Sequence, residues 1–425
     1  MKPRVELLCA GSELLQGQLN THLAKLGALL ASQGLALSRE ATLPDDRSAI
    51  AGALRSALSR SDAVIVCGGL GPTFDDLTRE AASDALGAEL RYVPRIFSRI
   101  KARFKRLRIR LPAENKRQAY VLAGARALDN ERGTAPGQLL SLPPARPGGP
   151  RRTLALLPGP YRELRPILER DVIPFLRKRY GRSSFTDHLA LHLGGIPESA
   201  ADEKLKGLVA KAGPGLSFTI LSYPGQVDFH AYIRGDSRRS AEACLREVRH
   251  EALAAVGRFL LWEGDSPLEA EVGAALTRAK LTLAVAESCT GGMIAAKLTD
   301  IPGASSFFLG GVISYADGLK KDLLGVSPRT LARHGAVSKE CCKEMAEGVR
   351  ARTGAEIGLS VTGIAGPTGG TASKPVGLVY IGVARPGRKA EVHELRLSGS
   401  REFIRARAAT RGLQLVLRAA LRRGK

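Results

Sequence analysis

The sequence predicts an α/β protein: two three-layer α/β domains joined by a small α+β module. Three observations predict it. Apolar strand-like runs alternate with helix-period segments from residue 4 to residue 172 and again from Ser266 onward, which argues for parallel sheets covered by helices. Glycine-rich loops follow the apolar runs, where the ligands of such sheets bind. Between the two, from about Ile173 to Gly264, the elements become short and mixed. The 425 residues, 44% of them hydrophobic, exceed one ordinary core. The predicted domains are therefore 1–172, 173–264 and 265–425.

In the first domain, Val5–Ala10 is a strand, Asn20–Ser32 a helix, Ala63–Cys67 a buried strand and Asp76–Leu86 the next helix. Thr153–Leu157 resumes a strand after the turn Pro143–Pro150, which therefore lies inside the domain. The loops Gly11-Ser-Glu and Gly68-Gly-Leu-Gly-Pro-Thr-Phe-Asp-Asp76 fall at strand ends. Gly68, Gly69 and Gly71 permit close approach of a phosphate, with Thr73 beside them. Paired carboxylates Asp75 and Asp76 next to a phosphate cradle suggest a divalent metal such as Mg²⁺ bridging protein and phosphate oxygens. A helix cap by either aspartate accounts for the same residues. Glu13 and Asp45-Asp46 add acid on neighbouring loops, and Gly133–Gly137 and Pro158–Glu163 are further turns that could line the pocket.

Strand Leu189–Leu193, helix Ala200–Ala212, strands near Phe218 and Phe229, and helix Ser240–Val256 make up the middle module, and nothing in it has catalytic character. In the third domain the run Lys280–Glu287 ends at Ser288, and the helix-spaced residues from Cys289 to Leu298 follow. A helix opening after a strand offers unpaired N–H groups and a positive dipole end, and Gly291 and Gly292 would let a ligand reach them. An N-cap followed by small packing residues is the alternative. A serine nucleophile needs a base. The strand ending near Tyr315 delivers Lys320 at a second loop, and a lysine can serve if desolvation depresses its pKa. Lys321 is expected at the surface and His334 in a loop. Thr362-Gly-Ile-Ala-Gly-Pro-Thr-Gly-Gly370 is a third strand-end loop, rich in N–H groups suited to a phosphate or an oxyanion.

Lys+Arg 64 against Asp+Glu 41 leaves +23, which favours acidic ligands or polyanions. The excess is spread along the chain. Its densest stretches, Arg95–Arg110 and Arg401–Lys425, have the spacing of amphipathic helices with solvated cationic faces. The expected buried sides are Ile96, Ile100, Phe104 and Leu107 in one, and Ile404, Ala408, Leu413, Leu415 and Leu417 in the other. Six cysteines in apolar contexts, with no Cys-x-x-Cys spacing, predict buried thiols rather than zinc or disulfides. No run has membrane-spanning length and no signal-peptide pattern opens the chain, so a cytoplasmic location is expected.

Four motifs together, Ala286-Glu-Ser-Cys-Thr-Gly-Gly292, His334-Gly-Ala-Val-Ser338, Thr362-Gly-Ile-Ala-Gly-Pro367 and Lys374-Pro-Val-Gly377, resemble the C-terminal domain of the CinA family (competence/damage-inducible). The resemblance implies nicotinamide mononucleotide deamidase activity. Gly68–Thr73 with Asp75-Asp76 resembles that family's N-terminal domain, akin to the molybdopterin-binding fold and linked to metal-dependent ADP-ribose pyrophosphatase activity. The middle module is similar to the family's KH-like domain, without the Gly-x-x-Gly loop by which KH domains clamp RNA.

Carried over by position, the family's serine–lysine machinery falls on Ser288 and Lys320 with Tyr315 beside them. Thr290, Gly291, Gly292, Thr362, Gly363, Gly366 and Arg401 would contact substrate. In the first domain Gly68, Gly69, Gly71 and Thr73 would hold nucleotide, and Asp75, Asp76 and Glu13 a divalent metal. Ser12, Asp317 and Ser400 stand where the family pattern has Thr, Asn and Asp. The deamidase is expected to need no cofactor, the partners to be nicotinamide mononucleotide and ADP-ribose, and the protein to form a homodimer without nucleic acid or membrane. The rival classes are a nucleotide- or pterin-binding protein without turnover and a DNA-associated competence factor, the latter favoured only by charge.

Overall fold

A computed structural model describes residues 3–35, 37–145, 148–181, 185–235 and 237–421. The chain forms two compact units, Met1–Asp187 with Arg234–Ala241, and His188–Ile233 with Glu242–Lys425.

In the first unit the strands are β1 (Val5–Ala10), β2 (Leu37–Leu43), β3 (Ala63–Cys67), β4 (Leu90–Tyr92), β5 (Tyr120–Leu122), β6 (Arg126–Leu128), β7 (Gly137–Leu142) and β8 (Arg152–Leu157). Six of them form one sheet in the order β2-β1-β3-β8-β7-β6. β1 pairs in parallel with β2 and β3, β3 in parallel with β8, and β7 antiparallel to β8 and β6. β1 and β3 are buried along their whole length, as continuous apolar runs require when helices cover both faces. Cys9 stands opposite Cys67, so the loops that begin at Gly11 and Gly68 leave the sheet side by side.

One predicted boundary moves. A helical run continues from Tyr161 to Tyr180 through a π-turn at Leu168–Val172, and Ile173 and Leu176 join the core formed with β1, β3 and β8. The expected break between 172 and 173 would cut this run and strip apolar side chains from the first domain. The helix expected from Asp76 begins at Thr78, and Asn20–Ser32 shortens to His22–Ser32. Of the basic stretch, Pro94–Leu107 is helical; Ile100 is buried but Leu107 is exposed, because the helix rests on the domain along a narrow seam. Arg146 and Pro147 of the expected turn lie outside the described residues.

The second unit opens with β9 (Phe185–Leu193), β10 (Leu216–Tyr223), β11 (Gln226–Gly235) and β12 (Leu260–Glu263), ordered β10-β11-β9-β12, with helices Glu198–Val209 and Arg238–Val256. His192 is buried at its centre, stacked on Trp262 with ring centroids 4.1 Å apart. Its Nδ1 meets Asp228 Oδ1 at 2.8 Å and its Nε2 meets the Gly264 carbonyl at 2.7 Å. Neither oxygen has a proton to give, so the ring carries one on each nitrogen.

The third domain contributes β13 (Leu283–Glu287), β14 (Phe308–Ile313), β15 (Ile357–Gly363), β16 (Leu378–Arg385) and β17 (Arg388–Arg396) in the order β14-β13-β15-β16-β17. The first three are parallel, so the C-terminal ends of β14, β13 and β15 lie next to one another. Helices Leu268–Ala279 and Arg401–Leu421 cover one face and helix Lys339–Thr353 the other. All five apolar side chains expected inward on the last helix are buried, and its final four residues lie outside the described ones. No helix among the described residues is long and apolar enough to cross a membrane.

Two outcomes follow. Leu176→Ala should destabilise the first unit by about 2–5 kcal/mol, the range for emptying a buried leucine site, and calorimetry should show the loss in that unit's transition alone. For His192, burial pulls the pKa down, but the bonds to Asp228 and Gly264 outweigh it and hold the value above the ordinary one. A raised folded pKa gives stability that is full below about pH 6.5 and lost as pH rises through the folded value. The second unit's melting temperature should therefore fall as pH rises above about 6.5. His192→Phe, which leaves Asp228 buried without its cation, should cost about 3 kcal/mol at the acidic end and flatten that dependence.

Candidate active sites

The cleft of the first domain, about 360 Å³, is lined by Gly11, Glu13, Asp45, the loop Gly68–Thr73, Asp75, Asp76, Thr134 and Pro158–Pro160 with Glu163. The two outlying turns thus line the same pocket as the glycine loop, as expected. Gly68 has φ +102°, and a Cβ there would stand 2.3 Å from the Ala10 carbonyl, so only glycine lets the two loops meet.

Asp76 has a different place from either one expected. It does not cap the helix, whose N-cap is Leu77 without a side-chain bond. Its carboxylate accepts from the N–H of Gly71 (2.7 Å) and of Thr73 (2.8 Å), and from the Thr73 hydroxyl. The Gly68 N–H bonds the Leu157 carbonyl. Much of the expected phosphate cradle is therefore occupied by the protein itself, and the N–H groups left without a partner among the described residues are those of Gly69 and Leu70. Arg79, 2% exposed, and Arg117 grip the loop from behind: Arg79 through the carbonyls of Leu70 and Gly71, Arg117 through those of Thr73 and Asp76.

Glu13, Asp75 and Asp76 do not form a preformed metal cage, since no three His, Cys, Asp or Glu side chains converge among the described residues. Asp76 is already engaged and Asp45 accepts from the Ser12 N–H, which leaves exposed Asp75 and Glu13 at the cleft. Two such carboxylates suit a cation completed by substrate phosphates, the usual manner of Mg²⁺, better than one held by protein alone. Ser12 keeps the hydroxyl of a threonine, its Oγ accepting from the Asp45 N–H at 2.9 Å.

In the third domain, Ser288 ends β13 and is 8% exposed. The expected helix from Cys289 begins only at Met293, after a turn with Gly291 at φ +60° and Gly292 at φ +92°. The N–H groups at that helix start are not free. The buried Glu287 carboxylate accepts from Gly292 (3.0 Å), Ile294 (3.2 Å) and Ala295 (2.9 Å), and Gly291 donates to the Ser288 carbonyl. Arg405 accounts for what remains: its Nε and Nη2 hold the carbonyls of Cys289 (3.0 Å) and Thr290 (2.8 Å). In a trans peptide the N–H points opposite to the carbonyl, so the Thr290 N–H is turned away from Arg405. It donates to nothing among the described residues, and the buried Thr290 hydroxyl also lacks a partner. Cys289 is no rival nucleophile, because burial pushes its thiol up to about 11.

Lys320 is 1% exposed, with Nζ donating to the Tyr315 carbonyl at 3.0 Å and lying 3.4 Å from Asp317. Lys321 is exposed, as expected. The Tyr315 ring is exposed, and its hydroxyl accepts from Arg401 Nη2 at 3.1 Å; Arg401 Nη1 donates to the Gly366 carbonyl at 2.8 Å. Arg401 thus joins the second and third loops. Thr362 is buried, its hydroxyl donating to the Ala336 carbonyl, and Gly363 closes β15. Ser400 accepts from the Phe403 N–H, so it caps the last helix. His334 ends the helix Pro328–His334 rather than lying in a loop, with its ring 3.7 Å from Glu340. Arg405 was not foreseen; it lies one helical turn beyond Arg401, and that spacing on a predicted helix was the available signal.

Residues 265–420 match the CinA C-terminal domain and residues 6–178 the "Probable molybdopterin binding domain". The CinA-like protein of Endomicrobium trichonymphae is 39% identical over 422 residues, 98% of this chain and 98% of its own. That of Dictyoglomus thermophilum is 38% identical over 419 residues, 98% and 99% of the two chains. Among solved structures, the competence/damage inducible protein CihA from Agrobacterium tumefaciens is 36% identical and covers 37% of this chain and 94% of that one, with a TM-score of 0.34. With such identity to relatives along almost their entire length and its own, the chain belongs to the CinA family.

Proposed function

We propose that the third domain hydrolyses the carboxamide of nicotinamide mononucleotide, releasing nicotinic acid mononucleotide and ammonia. The observation that carries this reading is the buried lysine, Lys320, held just past the end of β14, the strand that pairs with β13, which Ser288 follows. Ser288 Oγ attacks the carboxamide carbon as Lys320, in its neutral form, accepts the hydroxyl proton. The electron pair of the carbonyl moves onto oxygen, where the Thr290 N–H, aimed by Arg405, donates to it. Collapse breaks the C–N bond, the proton returns to the departing amine, and water hydrolyses the acyl-enzyme. Arg401 and Tyr315, bonded to each other near the strand ends, offer a cation and a hydroxyl to the nucleotide's phosphate.

The same proposal gives the first domain cleavage of ADP-ribose between its phosphates. Gly69 and Leu70 present the N–H groups, and Asp75 with Glu13 would hold a divalent cation, which when bound neutralises charge on the pyrophosphate. Asp76 keeps the loop in shape. A pterin or nucleotide sensor without turnover is the competing reading, and ammonia release separates the two.

A paired assay tests the assignment. Ser288→Ala should abolish ammonia release and leave pyrophosphate cleavage within about twofold, the two sites having separate cores. Asp76→Ala should do the reverse, and chelation of divalent cations should stop only the pyrophosphate cleavage. Loss of both activities in a folded Ser288→Ala protein would refute the division of labour. Lys320→Arg keeps the charge but cannot give up its proton, so it should lose at least about a hundredfold in kcat, like Lys320→Ala. Lys321→Ala should be nearly silent. Substantial ammonia release by folded Lys320→Arg would rule out the lysine as base.

A further inference from the structure

The strand register at the third domain's site extends one residue past the sheet. Glu287 stands opposite Ile313 on one side and Val361 on the other, and the ladder continues with the Ser314 N–H on the Glu287 carbonyl (2.8 Å) and the Ser288 N–H on the Val361 carbonyl (2.9 Å). Ser314, Ser288 and Thr362 therefore stand in a row at the ends of β14, β13 and β15. Side chains alternate between faces along a strand, so these three hydroxyls share the face opposite to Glu287, whose carboxylate goes to the helix Met293–Thr299. That face is the one on which Ala284 and Ala286 meet Leu324, Cys341 and Met345, and it is also where Ser360 bonds the Cys342 carbonyl. Lys320 belongs to the same layer, in the helix Asp317–Leu324 that contributes Leu324.

Of the three hydroxyls, Thr362 is committed to the Ala336 carbonyl. Ser314 is wholly buried and its Oγ has no partner. Leaving a hydroxyl buried and unbonded is costly, so such a group beside a nucleophile calls for a reason. It adjoins both groups that must exchange a proton, one ladder step from Ser288 and next in sequence to Tyr315, whose carbonyl receives Lys320 Nζ, and its Oγ bonds neither of them in this structure.

Building on the deamidase reading, we propose that Ser314 is the hydroxyl bridge through which the Ser288 proton reaches Lys320. As Ser288 Oγ bonds to the carboxamide carbon, its proton passes to Ser314 Oγ while the Ser314 proton passes to the neutral Lys320 amine, which becomes ammonium. When the C–N bond breaks, the Lys320 ammonium gives a proton to Ser314 Oγ while the Ser314 proton passes to the departing nitrogen, which leaves as ammonia, and Ser288 Oγ stays as the ester oxygen of the acyl-enzyme. Ser314 is unchanged at the end, and no oxidant or further reactant is needed.

The test uses the full chain and the pair Ser314→Thr and Ser314→Val, which match in shape and differ in the hydroxyl, together with Ser314→Ala. Ammonia release should persist within about tenfold in Ser314→Thr. In Ser314→Val and Ser314→Ala, kcat should fall at least about a hundredfold, the usual worth of a positioned proton-transfer group, while KM changes little. Equal loss in Ser314→Thr and Ser314→Val would mean that shape and not the hydroxyl matters, and would overturn the bridge. So would a Ser314→Ala protein within about threefold of wild type while Ser288→Ala and Lys320→Arg are inactive, an outcome that leaves the serine–lysine reading standing. Retained activity in Ser288→Ala would instead remove the reading on which the bridge rests.

Discussion

The site of the third domain depends on one buried carboxylate. Glu287, 1% exposed at the end of β13, bonds the N–H groups of Gly292, Ile294 and Ala295 and so fastens the helix Met293–Thr299 to its own strand. The five residues between are then pinned at both ends, and Arg405 fixes the direction of the peptides in the middle. Asp76 does the corresponding thing in the first domain, bonding the N–H groups of Gly71 and Thr73 while Arg79 and Arg117 hold the carbonyls. In both domains an internal anion takes donors that a glycine-rich loop would otherwise offer to a ligand. What remains for substrate is a small number of N–H groups in a loop that cannot relax, and preorganised donors of this kind are the ones that stabilise developing charge.

This explains where sequence reasoning succeeded and where it failed. Unbroken apolar runs placed β1 and β3 to the residue and β13 at its C-terminal end, its start lying three residues later than the run Lys280–Glu287. The convergence of the strand-end loops followed from the α/β alternation alone. The start of the helix after Ser288 was read four residues early, since Cys289–Gly292 are compatible with a first helical turn and only the reach of Glu287 across that turn excludes it. Ile173–Tyr180 was assigned to the wrong domain because its amphipathic pattern does not say which core it faces. Ser314 and Arg405 carried no motif of their own; their significance comes from strand register and from side chains meeting across more than a hundred residues.

The charge excess of +23 also has a partly internal explanation. Arg79, Arg103, Arg117, Arg152, Arg352, Arg401 and Arg405 all donate to backbone carbonyls. A guanidinium can hold two consecutive carbonyls in a fixed fork, which a lysine cannot. Five of these arginines hold loop or turn carbonyls that have no regular ladder of their own, while Arg152 and Arg352 hold carbonyls in the last turns of helices.

The last helix, Arg401–Leu421, carries a constraint of phase. Arg401 and Arg405 on its first turns face the strand-end loops, while buried Gln414, nine residues beyond Arg405 and about 13 Å further along the axis, donates to the Gly225 carbonyl in the hairpin between β10 and β11. One rigid rod thus indexes two places at once. Adding or deleting a single residue between Arg405 and Gln414 would swing one end by about 100° relative to the other, whereas most substitutions there would leave the angle untouched. Outside its buried face, Ala408, Ala409, Gly412 and Leu413, the stretch 406–413 should accordingly tolerate drift in identity over evolutionary time but not in length, so that its count of residues behaves as a conserved quantity of the fold.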